Sequence, residues 1–308
     1  MLRIGILGLD TSHAPDVARY FNAGPGARVG RVTSAWPGGS PDAPLSIDRV
    51  AGFTAQLRDE FGVEIAPTPE AVAARSDALM LLAMDGRCHA ELFARVAPSG
   101  VPVFINKPLA TTSADAMAIA ATAARCGVRW FSASVLRLGW PAGRVARRVS
   151  VSGPLWFEPA NAGWFWYGVH GVELMCAAMG AGVSTVRVEV QPEREVLHAR
   201  WRDGREAQVV GVLTRDAPFT LAEDNDAPQA IPVKLDQLTS VVADFFAGTP
   251  APVEPASMLE IVRLLEAANA SRARGGIEIA LDAEHAASKP NAELPRETPV
   301  TTKAQRSD

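Results

Sequence analysis

The chain has 308 residues, 48% of them hydrophobic and 21% charged, with 30 basic against 34 acidic side chains for a formal net charge of −4. At roughly 150 residues per domain this is enough for two domains, each with its own core. The acidic balance and the lack of a long basic run exclude a dedicated nucleic-acid binder, and no apolar run reaches the roughly 18 to 20 residues that cross a bilayer. Three dispersed cysteines, Cys88, Cys126 and Cys176, write neither a disulfide framework nor a zinc ribbon, which suits a reducing cytoplasm. The apolar run Ile4–Leu9 is too short for a signal segment, so the expected start is that of a cytoplasmic protein.

In chain order, strands are expected at Leu2–Leu7, Arg28–Ala35, Ala78–Ala83, Val101–Ile105 and Val128–Ser132. Helices with apolar residues three and four apart are expected at Ala14–Asn22, Val50–Phe61, His89–Val96 and Ser113–Arg125. This alternation predicts a Rossmann-type, doubly wound parallel α/β sheet over residues 1–132. From residue 133 the pattern changes. Val183–Val190, Glu195–Trp201 and Gln208–Leu213 read as a meander with a turn at Asp203-Gly204, followed by helices at Leu235–Ala247 and Ala256–Ala273. The second domain, 133–282, is therefore expected to be α+β with a mostly antiparallel open sheet, one face of which needs cover from helices or a second copy of the chain, making a homo-oligomer. The polar, proline-containing segment 283–308 reads as a disordered tail.

The first strand runs into Gly8-Leu9-Asp10-Thr11-Ser12-His13 and then a helix, the place where backbone N–H groups receive a dinucleotide pyrophosphate. Asp10 and His13 stand where the second and third glycines of G-x-G-x-x-G belong, so the same residues read equally as helix caps. The second strand ends without the acid that grips an adenosine ribose. Trp36 can stack on a base and Ser40 can bond a ribose oxygen or a 2′-phosphate, which leaves NAD and NADP both open. Only four of the basic residues are lysines, and Lys107 is the sole one before residue 234. It follows an apolar strand at the carboxyl edge of the sheet, and a lysine, unlike an arginine, exchanges a proton near neutral pH once desolvated.

The segment Phe104-Ile105-Asn106-Lys107-Pro108-Leu109-Ala110 resembles the E-K-P-L-A motif of the Gfo/Idh/MocA family of NAD(P)-dependent sugar, polyol and amino-acid dehydrogenases. The resemblance extends to the opening turn, to Asp85-Gly86-Arg87-Cys88-His89 at a helix start, and to Trp166-Tyr167-Gly168-Val169-His170-Gly171-Val172-Glu173. It implies that Lys107 meets the nicotinamide ribose and the substrate, and that His170 shares the acid–base work. Met84, Asp85, His89, Asn106 and Pro108 then join the cofactor side, His89 as a wall of the nicotinamide pocket. Two departures stand out: Asn106 replaces the motif Glu, and Trp166 replaces an Asp often found four residues before the histidine. Without that carboxylate, Tyr167 or water becomes a candidate for the proton path.

Trp156, Phe157, Trp164, Phe165, Trp166 and Tyr167 crowd six aromatics into twelve residues, which suits either a substrate wall or the core between the domains. Arg137 is a candidate grip for a substrate anion, or else a salt-bridge partner. No ligand spacing points to a metal, and nothing in the sequence activates Cys88 as a nucleophile. The expected activity is hydride transfer between NAD or NADP and a carbinol carbon of a small polyol, sugar or related hydroxy compound. Three alternatives remain: elimination after transient oxidation, NAD-using glycoside hydrolysis, and a degenerate member that only binds or scaffolds.

Overall fold

The structure, a computed structural model, describes residues 1–158 and 160–281, so the tail expected from residue 283 lies outside the described residues. The first sheet is built from β1 (Leu2–Leu7), β2 (Gly30–Trp36), β3 (Glu64–Ile65), β4 (Ala78–Leu81), β5 (Val103–Ile105) and β6 (Trp130–Ser132). All pairs are parallel, in the order β3-β2-β1-β4-β5-β6. The order reverses between β1 and β4, and a crevice opens at such a switch point beyond the carboxyl ends of the strands. The helices of this domain are α1 (His13–Ala23), α2 (Pro44–Phe61), α3 (Pro69–Ala73), α4 (His89–Val96) and α5 (Ser113–Cys126).

Three differences from the sequence expectation have local causes. Strand β3 and helix α3 span two and five residues, too short to display a period, so the sheet has six strands instead of five. Strand β5 starts at Val103 and not Val101, since Pro102 has no N–H to give to a ladder. Helix α2 starts six residues early because Pro44 sits at its first position, where a missing N–H costs nothing. That last shift matters to the site, because it places Ser46 in the first turn of α2, beneath the crevice.

The second sheet comprises β7 (Arg148–Pro154), β8 (Val183–Val190), β9 (Arg194–Trp201), β10 (Glu206–Val212), β11 (Thr220–Glu223), β12 (Gln229–Ala230) and β13 (Ile279–Ala280), in the order β12-β11-β7-β10-β9-β8-β13. It is antiparallel except where β10 runs parallel to β7. The meander β8-β9-β10 matches the sequence reading, whereas β7, whose alternation rests on Val149 and Val151 alone, escaped it. Helices α6 (Gly168–Met179) and α8 (Pro255–Ala273) cover one face, and α7 (Leu235–Phe246) lies nearer the first domain. On α6 the glycines permit close contact: a Cβ on Gly171 would come within 2.6 Å of Val209 on β10. Helix α8 also packs on α5, and the Ser132 N–H reaches Met258 Sδ at 3.0 Å, so the end of β6 is tied to the second domain. Among the described residues no helix is long and apolar enough to cross a membrane.

Candidate active site

The carboxyl ends of β1, β4 and β5 meet through backbone bonds that leave little choice of residue. The N–H groups of Leu82 and Ala83 both donate to the Leu7 carbonyl, which brings the chain after β4 against the first turn. Gly8 has φ +96°, and a Cβ there would lie 2.5 Å from the Ala83 backbone. Only glycine serves at that position.

At one end of the crevice stand Lys107, Trp166, His170, Tyr167 and His13. Lys107 is buried, with its amine 4.7 Å from the centre of the Trp166 ring, a cation–π contact. No carboxylate pairs with it among the described residues, and burial lowers its pKa to about 8. His170, in the first turn of α6, lies between Tyr167 and Phe219, with ring centres 5.4 and 5.8 Å away. Burial, then the positive charge of Lys107, then His13, push His170 well below the usual imidazole range. Burial and the same lysine lower His13 to about 4. Both imidazoles are therefore neutral at pH 7, and Lys107 is the only titratable cation of this group near neutrality. The indole N–H groups of Trp156 and Trp166, whose rings meet edge to face at 5.4 Å, are buried without an acceptor among the described residues.

Behind His170 lies a group that sequence reasoning did not select. Ser134 Oγ is 2.6 Å from His170 Nδ1, and the Ser134 N–H donates to Glu173 Oε1 at 3.3 Å. The other Glu173 oxygen accepts from Arg137 at 3.1 Å. Burial raises the Glu173 pKa, and Arg137 opposes the rise. Arg137 thus faces an internal carboxylate instead of an open cavity. Glu173, on the same helical face three residues after His170, was findable from the sequence; Ser134, just beyond a strand, gave no signal.

At the other end of the crevice the polar groups are paired with one another. Asp10 is buried, accepting from Ser46 Oγ at 2.6 Å and the Met84 N–H at 3.0 Å. Burial raises its pKa and these bonds pull it back. Ser40 Oγ donates to Asp85 Oδ2 at 2.5 Å, and Arg87 bonds both Asp85 oxygens and, at 2.9 Å each, both oxygens of Asp42. Burial alone would raise Asp85, yet the Arg87 and Ser40 bonds hold it below its ordinary value. The Leu9 N–H donates to the Pro37 carbonyl at 2.7 Å, and Gly38 packs close over Gly8. The segment after β2 is therefore fastened across the crevice to the segment after β4. Trp36 is half-buried beside Gly38, Thr11 is buried, and Ser12 is exposed at the start of α1 without a side-chain cap bond.

Several expected cofactor residues hold backbone together. Both ring nitrogens of the fully buried His89 lie near carbonyls, Ala83 at 2.8 Å and Leu109 at 3.1 Å; burial lowers its pKa, so the neutral ring donates to one of them and packs between the ends of β4 and β5. Asn106 donates to the Leu82 carbonyl and accepts from the Lys107 N–H, and Pro108 follows in a cis peptide. Asn161 of the second domain, also missed from the sequence, bonds the Gly86 N–H and the Met84 carbonyl. Burial pushes the Cys88 thiol far above its ordinary range, so it stays protonated and is no nucleophile.

Residues 2–134 match the profile of the GFO_IDH_MocA oxidoreductase family with its NAD-binding Rossmann fold. Over these residues the chain is similar to the Gfo/Idh/MocA family. Solved structures extend the likeness over the second domain. The WlbA dehydrogenase from Bordetella pertussis, in complex with NADH and UDP-GlcNAcA, is 18% identical with a TM-score of 0.66, over 91% of this chain and 98% of that one. UDP-N-acetylglucosamine 3-dehydrogenase GnnA from Acidithiobacillus ferrooxidans is 15% identical with a TM-score of 0.68, over 88% and 97%. Myo-inositol dehydrogenase from Lactobacillus casei, in complex with NAD(H) and myo-inositol, is 15% identical with a TM-score of 0.65, over 94% and 98%. At such identities the likeness is one of fold. No curated protein sequence matches the chain significantly.

Proposed function

We propose that the protein is an NAD(P)-dependent oxidoreductase acting on a carbinol carbon of a small polyol, sugar or related hydroxy compound. The observation that carries this reading is Lys107: a buried amine with no carboxylate partner, near 8 in pKa, facing Trp166 and close enough to His170 and His13 to affect both. An uncompensated buried cation is costly unless a ligand completes its surroundings.

A Gfo/Idh/MocA cofactor fits this end of the crevice, where the orphaned Trp166 N–H and the unpaired Lys107 amine await electronegative atoms. Lys107, His13 and Asn106 would hold its nicotinamide side, with Gly8, Thr11 and Ser12 at the start of α1 for its phosphates. When bound, nicotinamide supplies hydride exchange. Lys107 and His170 flank the substrate hydroxyl and manage its proton, and Trp156, Trp166 and Tyr167 give an apolar wall with indole donors for sugar oxygens. Asp10 is engaged by Ser46 and the Met84 N–H, bonds that would offset its charge beside bound phosphates. The outer face of the second sheet, with Arg187, Glu189 and Arg200 exposed, is proposed to meet a second copy of the chain; a monomeric mass by light scattering would remove that part.

The bonds of Ser40 and Asp42 to Asp85 and Arg87 lie across the path between the two ends and must part for a dinucleotide to enter. They also favour a second reading, a family member that keeps the fold and has closed the nucleotide site. Titration with NADH and NADPH, followed by quenching of the seven tryptophans, separates the two. Saturable binding below about 1 mM supports the enzyme, and none up to that concentration supports the closed form.

A further inference from the structure

The contacts of one buried hydroxyl decide which nitrogen of His170 carries the proton. Ser134 is fully buried, and its Oγ has two neighbours: the Leu136 N–H, which donates to it at 3.2 Å, and His170 Nδ1 at 2.6 Å. An N–H gives its proton and takes none, so the hydroxyl hydrogen has a single acceptor within reach among the described residues, Nδ1. Leaving that hydrogen unpaired in a fully buried position would cost about 1–3 kcal/mol. Ser134 is itself braced, since its N–H is held by Glu173, which Arg137 holds in turn. His170 is kept neutral by burial and by Lys107 and His13, so an imidazole that accepts at Nδ1 must carry its one proton on Nε2.

We propose that Ser134 is a positioning residue that fixes His170 as the Nε2–H tautomer, dividing the work of the site between its two candidate groups. This rests on the oxidoreductase reading. His170 donates from Nε2 to the substrate oxygen and keeps its proton throughout. Lys107, as the neutral amine, takes the hydroxyl proton: the O–H bond breaks, an N–H bond forms, and the electron pair stays on the substrate oxygen. In the reverse direction the Lys107 ammonium returns that proton. An aspartate behind the ring would impose the opposite tautomer, with Nδ1 protonated and Nε2 free to act as base. A serine whose own proton has nowhere else to go makes the ring a donor instead.

The test is nitrogen NMR of the full chain with histidine labelled at both ring nitrogens, His170 being assigned by the signals lost in His170→Gln. The expected wild-type spectrum shows Nδ1 as the bare acceptor and Nε2 as the protonated nitrogen. Ser134→Ala is expected to give a mixture of tautomers, and Ser134→Thr to restore the wild-type pattern. Protonated Nδ1 in the wild type overturns the proposal, as does an unchanged ring in folded Ser134→Ala; should that variant not fold, the wild-type spectrum alone decides. In turnover, Ser134→Ala is expected to lower kcat about tenfold with KM little changed, and Ser134→Thr to recover it. The tautomer is read without coenzyme or substrate, so a protein that binds neither would defeat the oxidoreductase reading and leave this assignment standing or falling on its own spectrum.

Discussion

The two ends of the crevice treat their polar groups in opposite ways. Around Asp10, Ser40, Asp85 and Arg87 each charge is matched by a bond from this chain, and the carboxylates stay satisfied despite burial. Around Lys107 and Trp166 the amine has no carboxylate and the indole N–H no acceptor among the described residues. Satisfied buried networks hold a structure in one arrangement, whereas unsatisfied ones store a cost that a ligand relieves. The paired end therefore acts as architecture that must be opened, and the unpaired end as chemistry prepared in advance.

The largest expected effect falls at the unpaired end. Lys107→Arg keeps the charge but cannot give up its proton near neutrality, so turnover should fall about 1,000-fold while circular dichroism stays unchanged. Retained turnover would take lysine out of the mechanism. Wild-type oxidation should lose about tenfold in rate for each pH unit below about 8, as Lys107 takes up a proton and ceases to be a base. A flat profile from pH 6 to 9 would contradict that assignment.

The same residue should show its cost in stability. Its pKa is about 8 folded against 10.5 free, so below pH 8 both states are protonated and the folded state bears the full penalty of the buried charge. As pH rises from 8 towards 10.5 the folded chain releases its proton first and the penalty disappears. Lys107→Met should therefore unfold at higher urea near pH 7, by about 2–3 kcal/mol, and converge with the wild type near pH 10.5. Asp10→Ala should act in the opposite sense at the paired end, costing about 2 kcal/mol by stranding the Ser46 hydroxyl and the Met84 N–H. The smallest effect is expected for Asp42→Asn. It weakens an exposed part of the bridge and should tighten NADH binding two- to fivefold in a fluorescence titration, as suits a surface ion pair. Weaker binding would show that Asp42 helps to hold the coenzyme.

The site was legible where residue type alone carries the chemistry. Lys107 was conspicuous as the sole lysine in the first 233 residues, and its strand-end position followed from the apolar run before it. His170 was marked by its motif. Its partner Ser134 was not, because a serine after a strand resembles any other until the fold sets it 36 positions away in sequence yet 2.6 Å away in space. His89 looked like a ligand because polar residues at strand ends often are. Its ring instead lies between the Ala83 and Leu109 carbonyls, which follow two strands that are neighbours in space, not in sequence.

By itself the sequence determined the alternating strands and helices of a parallel sheet, the meander that follows, and the presence of a titratable amine at a strand exit, since periodicity and residue chemistry are local properties. Tertiary structure alone decided which groups are paired and which are left bare: that Asp10 turns inward to Ser46, that Arg87 bridges two aspartates, that Arg137 serves Glu173, and that Lys107 meets an indole face and no carboxylate among the described residues. The physical reason is that desolvation and hydrogen-bond satisfaction depend on neighbours distant along the chain, and those neighbours set the proton affinity and tautomer of each group.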